Sequence, residues 1–202
     1  YISSKSFIIC LGDFMTTKDK ILKQTYKLYQ EKGFNNVTIQ DICKKTNITK
    51  PTFYKYFKNK EDTIIHLYDD ITKEISSNVP QLILANNYYE QLLLCFLSLV
   101  KQSQDIGFDI IGQMFKINLD NDQGSFDFRD DFSAICIAIT KKGQEADQFL
   151  NKQNPYDLYK TLSYAFTGFE MMWCIKKGDF DFETEVKNAI QTIYQVDKKL
   201  YK

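Results

Sequence analysis

The sequence contains little of what most catalytic and metal-binding sites are made of. Among its 202 residues there is one histidine, His66, and one arginine, Arg129. It has no glycine-rich phosphate loop, no nucleophile motif and no metal-ligating residues at the usual spacing. We therefore predict that the chain is not an enzyme and that it has neither a metal site nor another cofactor.

Cysteines and apolar runs exclude further classes of protein. The five cysteines, at positions 10, 43, 95, 136 and 174, are odd in number, which favours free, reduced thiols in a cytoplasmic protein. A redox switch is the alternative interpretation of these thiols. The most apolar run, Leu92 to Val100, is too short to span a bilayer, so no membrane partner is predicted.

The net charge is zero, but the charges are distributed unevenly. Residues 1–80 contain 13 lysines against 9 acidic residues, and the remainder contains 13 basic against 17 acidic residues. A basic N-terminal part favours contact with nucleic acid. Because Arg129 lies outside that part, the arginine fork that commonly binds guanine is replaced there by lysine.

The segment from Thr38 to Asp62 has the pattern of two short helices joined by a tight turn. Thr38 can cap the first helix, and Asn47 tolerates the left-handed backbone that the turn needs. Thr49 can cap the second helix, with Pro51 in its first turn, where a missing N–H costs little. Cap, turn and second cap thus follow one another in the order of a helix-turn-helix.

The second helix of this segment is short, basic and aromatic. Phe53 and Phe57 lie four residues apart and are predicted to face the core. The side chains left outside are Lys50, Thr52, Tyr54, Lys55 and Tyr56. Such a helix can reach base edges and phosphates in the major groove. The alternative is an ordinary helical hairpin with a solvated basic face.

The segment from about Thr17 to Tyr68 resembles the DNA-binding domain of the TetR family of bacterial transcriptional regulators. The run KPTFYKYFKNK, from Lys50 to Lys60, is similar to the recognition helix of the tetracycline-responsive members. Asn47 departs from the family pattern, since it stands where a turn glycine is usual.

The resemblance implies a role for each outer residue of the segment. The residues that would face bases are Lys50, Pro51, Thr52 and Lys55. The residues that would contact phosphate are Thr38, Thr49, Tyr54, Tyr56 and Lys60. The expected partner is double-stranded DNA carrying a palindromic operator, because a homodimer presents two recognition helices related by a two-fold axis.

The rest of the chain has a helical pattern without alternating strands, which predicts an all-α fold of about nine helices. A three-helix helix-turn-helix domain, residues 15–62, would precede a larger ligand-binding and dimerisation domain, residues 63–202. Residues 1–14 are interpreted as an N-terminal extension or an artefact. A linking helix is predicted from Lys60 to about Asn78, with a break at residues 78–80. Gly143 is predicted to end one helix, and the last helix to run from about Phe182 to Lys202.

The resemblance also implies a dimer interface and a ligand pocket. The implied interface residues, on the last two long helices, are Gly168, Met172, Ile175, Val186, Ile190 and Ile193. The implied pocket residues are Phe96, Met114, Phe115, Phe132, Tyr164, Phe169 and Trp173. Core packing is the alternative for both sets. Two acids in apolar surroundings, Asp109 and Glu170, could neutralise a cationic ligand, or could pair or face solvent.

These patterns lead to one main hypothesis: a cytoplasmic, homodimeric, TetR-like repressor that a small apolar or aromatic ligand releases from its operator. The ligand would act through its differential affinity for two arrangements of the recognition helices. The alternative is a helical module that senses a ligand or a partner protein without regulating transcription directly.

Overall fold

The computed structural model describes residues 16–73 and 84–201, and these residues fold into α-helices. The nine helices of this part are α1 (Thr17–Lys32), α2 (Ile39–Thr46), α3 (Lys50–Tyr56), α4 (Lys60–Lys73), α5 (Tyr88–Ile106), α6 (Phe108–Asp120), α7 (Asp130–Glu145), α8 (Pro155–Ile175) and α9 (Phe182–Tyr194). Short 3-10 turns occur at Phe34–Asn36 and Lys198–Leu200. The all-α prediction is confirmed. The predictions for residues 1–14 and for the break at 78–80 lie outside the described residues.

The helices form two compact units. Unit 1 contains the described residues up to Asp70 together with Asp105–Ser125. It therefore includes all of α1–α3 and α6 and most of α4. Unit 2 contains the described residues of Ile71–Gln104 and of Phe126–Lys202, which include most of α5 and all of α7–α9. The compact unit that carries the helix-turn-helix therefore includes α6 in addition to the segment 15–62. None of the helices described is long and apolar enough to cross a membrane.

Unit 1 is built on α1, whose ends are both fixed by local hydrogen bonds. Thr16 and Asp19 form a reciprocal capping box at its start. Gly33 ends it with a φ of 76°, a conformation that side chains other than glycine rarely adopt. The start of α6 joins this end, because the Phe34 N–H donates to Asp109 Oδ2 at 3.4 Å. The Tyr26 hydroxyl donates to the Asp105 carbonyl at 2.7 Å.

Unit 2 is organised around α8, which packs against both α7 and α9. The buried residues of α8 are Leu158, Tyr159, Leu162, Phe166, Glu170 and Trp173. Their spacing of three and four places them on one helical face. The opposite face remains exposed in the protomer.

Two predicted helix ends in unit 2 are wrong. Gly143 lies inside α7, and a Cβ there would come within 2.3 Å of the Phe149 ring, so close packing explains this glycine. The last long helix ends at Tyr194, because Gln195 is left-handed with a φ of 48°. Its carbonyl then accepts a hydrogen bond from the Leu150 N–H at 3.1 Å.

Candidate nucleic-acid interface

Local hydrogen bonds of the predicted kind hold the turn between α2 and α3. Asn47 ends α2 in the left-handed region with a φ of 54°, and the Ile48 N–H donates to the Cys43 carbonyl at 3.0 Å. Thr49 caps α3, since its hydroxyl accepts from the Thr52 N–H at 3.3 Å. The two threonine hydroxyls lie 2.9 Å apart. The predicted caps and turn of the helix-turn-helix are therefore present.

The inner face of α3 anchors it to unit 1. Phe53 and Phe57 are 0 % and 1 % exposed, and their ring centroids lie 5.4 Å apart. The opposite side of α3 faces solvent: Lys50, Pro51 and Lys55 are exposed, and Tyr54 is 54 % exposed. Because one side of α3 is buried by its apolar residues, the other side is exposed to solvent. That exposed side carries the residues at the start of the helix that are predicted to face bases.

The partly buried residues of α3 make contacts within the protein. The Thr52 hydroxyl bonds to Thr49, and the Lys55 ammonium lies 5.8 Å from the Tyr56 ring centroid. Tyr56 and Thr52 are both half-buried. A base or phosphate contact by these side chains would use the part of each that remains accessible.

The hydroxyl of Thr38 is used in capping the start of α2. It donates to the Asp41 carboxylate at 2.6 Å and accepts from the Asp41 N–H at 3.2 Å. These hydrogen bonds lower the pKa of Asp41. A phosphate contact by the same hydroxyl would have to replace its bond to Asp41.

Lys60, predicted as a phosphate contact, also makes contacts inside unit 1. Its ammonium donates to the carbonyls of Phe34 and Val37, both at 2.9 Å, and lies 3.9 Å from the Phe34 ring centroid. Two of its three N–H donors are thus used within the protein, and burial lowers the pKa of Lys60. No sequence pattern predicts these contacts, because they join Lys60 to distant residues.

Other exposed lysines in unit 1 extend the candidate interface. Lys44 and Lys45 end α2, and Lys58 lies between α3 and α4; all three are exposed. Lys45 forms a loose surface ion pair with Glu31 at 3.8 Å. These lysines are visible as charges in the sequence, but their exposure follows only from the packing of α2 and α3.

The residues predicted for a dimer interface separate into two groups. Gly168 is exposed, and Met172 and Ile175 are 39 % and 62 % exposed on the outer face of α8. Val186 and Ile190 are each 0 % exposed. These two residues belong to the core of the protomer, because a fully buried side chain offers no surface to a partner. Ile193 is half-buried.

The predicted pocket residues separate in a similar way. Met114 and Phe115 belong to unit 1, and the other five belong to unit 2. In unit 2, the ring centroids of Phe96 and Phe132 lie 5.6 Å apart. Tyr164 is 62 % exposed and lies on the outer face of α8 with Gly168, so its role in a pocket stays a prediction.

Three buried residues of unit 2, Ser103, Phe166 and Phe182, were not predicted as site residues, and they lie with Glu170, which was considered as a partner of a cationic ligand. Phe166 and Phe182 pack with ring centroids 5.1 Å apart. Glu170 is buried and accepts a short hydrogen bond from Ser103. The spacing of Phe166, Glu170 and Trp173 on α8 could have indicated a shared face, whereas nothing in the sequence pairs Glu170 with Ser103.

Comparison with known proteins agrees with this geometry. Residues 21–66 match the profile described as "Bacterial regulatory proteins, tetR family". Over 45 residues the chain is 42 % identical to IcaR of Staphylococcus epidermidis, the HTH-type negative transcriptional regulator of the biofilm operon icaADBC. That match covers 22 % of this chain and 24 % of IcaR, so it spans about a quarter of the relative's length.

Solved structures extend the similarity to most of the chain. Thermus thermophilus FadR, a TetR-family transcriptional repressor in complex with lauroyl-CoA, has a TM-score of 0.62 at 18 % identity. The similarity covers 87 % of this chain and 92 % of that one. The fatty acid degradation regulator FadR from Bacillus halodurans has a TM-score of 0.60 at 17 % identity, covering 90 % and 96 % of the two chains. At these identities the structures show the fold.

Residues 21–66 of the chain are thus similar to the TetR family of bacterial regulators. The matched segment contains α2 and α3, and the part of the chain that the structure describes has a fold similar to these solved structures. Since the matched family consists of regulatory proteins, it agrees with the prediction that this chain is not an enzyme.

Proposed function

We propose that this protein is a cytoplasmic, homodimeric TetR-family transcriptional repressor that binds a palindromic operator through α3. A small apolar or aromatic ligand bound in unit 2 would release it. The observation that carries the proposal is the two-sided α3, anchored by Phe53 and Phe57 and exposed at Lys50, Pro51 and Lys55.

The proposed base contacts use the chemistry of the exposed helix start. A lysine such as Lys50 or Lys55 can donate to the N7 and O6 acceptors of guanine. The ring of Pro51 can contact a thymine methyl group, and the Thr52 hydroxyl can serve as donor or acceptor. With no arginine in this part of the chain, guanine recognition would depend on lysine.

The proposed phosphate contacts surround this helix. Thr49 lies at the N-terminus of α3, where the helix dipole favours an anion. Tyr54 and Tyr56 carry hydroxyl groups suited to phosphate oxygens. Lys44 and Lys58 add positive charge at either side of α3, and charge of this kind makes binding depend on salt concentration.

The outer face of α8 supports the proposed homodimer. Tyr164, Met172 and Ile175 form an apolar stripe that is between 39 % and 62 % exposed. A Cβ built at Gly168 has no neighbouring atom within 4 Å, so a second helix could approach there closely. Dimerisation through one shared patch gives two-fold symmetry, which matches a palindromic operator.

Two relatives support the repressor and ligand parts of the proposal. IcaR is described as a negative regulator, and Thermus thermophilus FadR as a repressor in complex with lauroyl-CoA. In this chain the buried aromatic residues of unit 2, which include Phe96, Phe166 and Trp173, offer a suitable environment for an apolar group.

Selection of bound duplexes from a random DNA library, at low and at moderate salt, tests the proposal. We expect a palindromic consensus that survives at moderate salt. The test variant is Lys50→Ala/Lys55→Ala, and its matched control is Lys198→Ala/Lys199→Ala, since all four lysines are exposed. Only the first pair should abolish the consensus. Retention that is sequence-blind and lost with salt would overturn the proposal and favour a sensing module.

A further inference from the structure

Glu170 is the one buried charged residue in the described ranges of the chain. It is 2 % exposed and lies in the C-terminal half of α8. Burying an ionised carboxylate is costly unless a hydrogen bond or an opposite charge compensates for it. The position is therefore one where an apolar residue, or an uncharged glutamine, would stabilise the protomer better.

The compensation that the protein itself provides is small. The Ser103 hydroxyl donates a hydrogen bond to Oε1 of Glu170. Glu170 forms no ion pair with a lysine or arginine in this part of the chain. Burial accordingly raises the pKa of Glu170 to about 7, and the bond from Ser103 opposes this rise only in part.

Aromatic rings lie on the same face of α8 as this carboxylate. Phe166 is four residues before Glu170 and Trp173 three residues after it, and both are buried. Phe182 joins the two, with ring centroids 5.1 Å from Phe166 and 6.1 Å from Trp173. Phe96 extends the cluster, 6.0 Å from Phe166.

A carboxylate beside aromatic rings is chemically suited to one class of ligand. A cationic nitrogen gains Coulomb attraction from the carboxylate and cation–π attraction from ring faces, and both are stronger away from water. A neutral apolar ligand would use the rings alone, and an anion would be repelled by the carboxylate.

We propose that the effector of this regulator carries a cationic nitrogen, which the Glu170 carboxylate binds in unit 2 with Phe166, Phe182 and Trp173 as aromatic neighbours. The ligand class is a hydrophobic amine or quaternary ammonium compound. This inference rests on the proposed function, whose apolar or aromatic ligand it specifies further.

Two isosteric probes test the charge directly. Phenyltrimethylammonium and tert-butylbenzene have the same shape. They differ in the atom attached to the ring, which is a positively charged nitrogen in the first and a neutral carbon in the second. Trp173 is the only tryptophan in the chain, so its fluorescence reports binding close to Glu170. We expect wild-type protein to bind the cation about tenfold or more tightly than the neutral probe.

A matched pair of variants assigns this preference to Glu170. Glu170→Gln should bind both probes equally, while Glu145→Gln, which removes the same charge from an exposed position, should keep the wild-type preference. Equal binding of the two probes by wild-type protein would overturn the inference, and so would an undiminished preference in Glu170→Gln. If Glu170→Gln fails to fold, equal binding of the two probes by wild-type protein would still overturn the inference.

Binding of the same preparations to the selected duplex separates this inference from the proposed function. Selective DNA binding without a preference for the cation would contradict the cationic effector alone. A preference for the cation without selective DNA binding would contradict the repressor and leave the cation site in place.

Discussion

Lys60 places its ammonium 3.9 Å from the ring centroid of Phe34 and donates a 2.9 Å hydrogen bond to the carbonyl of the same residue. A second bond reaches the Val37 carbonyl, immediately before the cap of α2. The first residue of α4 thereby holds the backbone segment from which α2 begins. Since α3 follows α2 through a fixed turn, Lys60 contributes to the orientation of α3, the proposed recognition helix.

Lys60→Met should destabilise the protein by about 1–3 kcal/mol, because two charge-assisted hydrogen bonds are lost and two carbonyls lose a partner. Chemical denaturation measures this change in the free energy of unfolding. Lys58→Met is the control, since Lys58 is exposed two residues away and its replacement should have little effect. Equal stability of the two variants would contradict the role of Lys60.

Asn47 provides a second test of the helix-turn-helix geometry. Its left-handed backbone, with a φ of 54°, costs little for glycine and about 1 kcal/mol for alanine. Thermal unfolding should therefore rank Asn47→Ala below the wild type and Asn47→Gly close to it. A fully stable Asn47→Ala variant would show that the turn adopts another conformation.

The helix-turn-helix could be predicted because its signals are local. Thr38, Asn47 and Thr49 act on backbone groups within a few residues, so their positions in the sequence determine caps and turn. The alternation of buried Phe53 and Phe57 with exposed neighbours is equally local. These features were predicted correctly without knowledge of the rest of the fold.

Unit 2 was predicted less well because its decisive contacts join distant segments. Gly143 was expected to end a helix, but Phe149 packs against it. Val186 and Ile190 have the spacing of an interface stripe, yet they are fully buried within the protomer. Apolar periodicity identifies a face of a helix and does not tell which partner covers it.

The buried Glu170 should make stability depend on pH. Its pKa rises from 4.5 to about 7 on folding, so the folded state binds more protons than the unfolded state between these values. Stability should therefore fall as the pH rises through this window, by about 3 kcal/mol in total, and level off above it. Denaturation of wild-type protein and Glu170→Gln across this range measures the difference. A constant difference would contradict the account.

The exposed stripe on α8 gives a prediction about assembly. Ile175→Lys should convert the proposed dimer to a monomer, because it places a charge in the proposed apolar interface. Leu150→Lys is the matched control, since Leu150 is also a large apolar residue, 53 % exposed, but lies outside α8. Sedimentation equilibrium measures the mass of both variants. Unchanged mass for Ile175→Lys would exclude this stripe as the interface.

The most direct test of sequence-specific DNA recognition is the ratio of affinities for the selected palindrome and for a shuffled duplex, measured at one salt concentration. Wild-type protein should prefer the palindrome by about a thousandfold or more. Lys55→Ala should reduce that ratio by about tenfold, as expected for a lost base contact. Lys58→Ala should weaken binding to both duplexes equally. A wild-type ratio near unity would contradict the account.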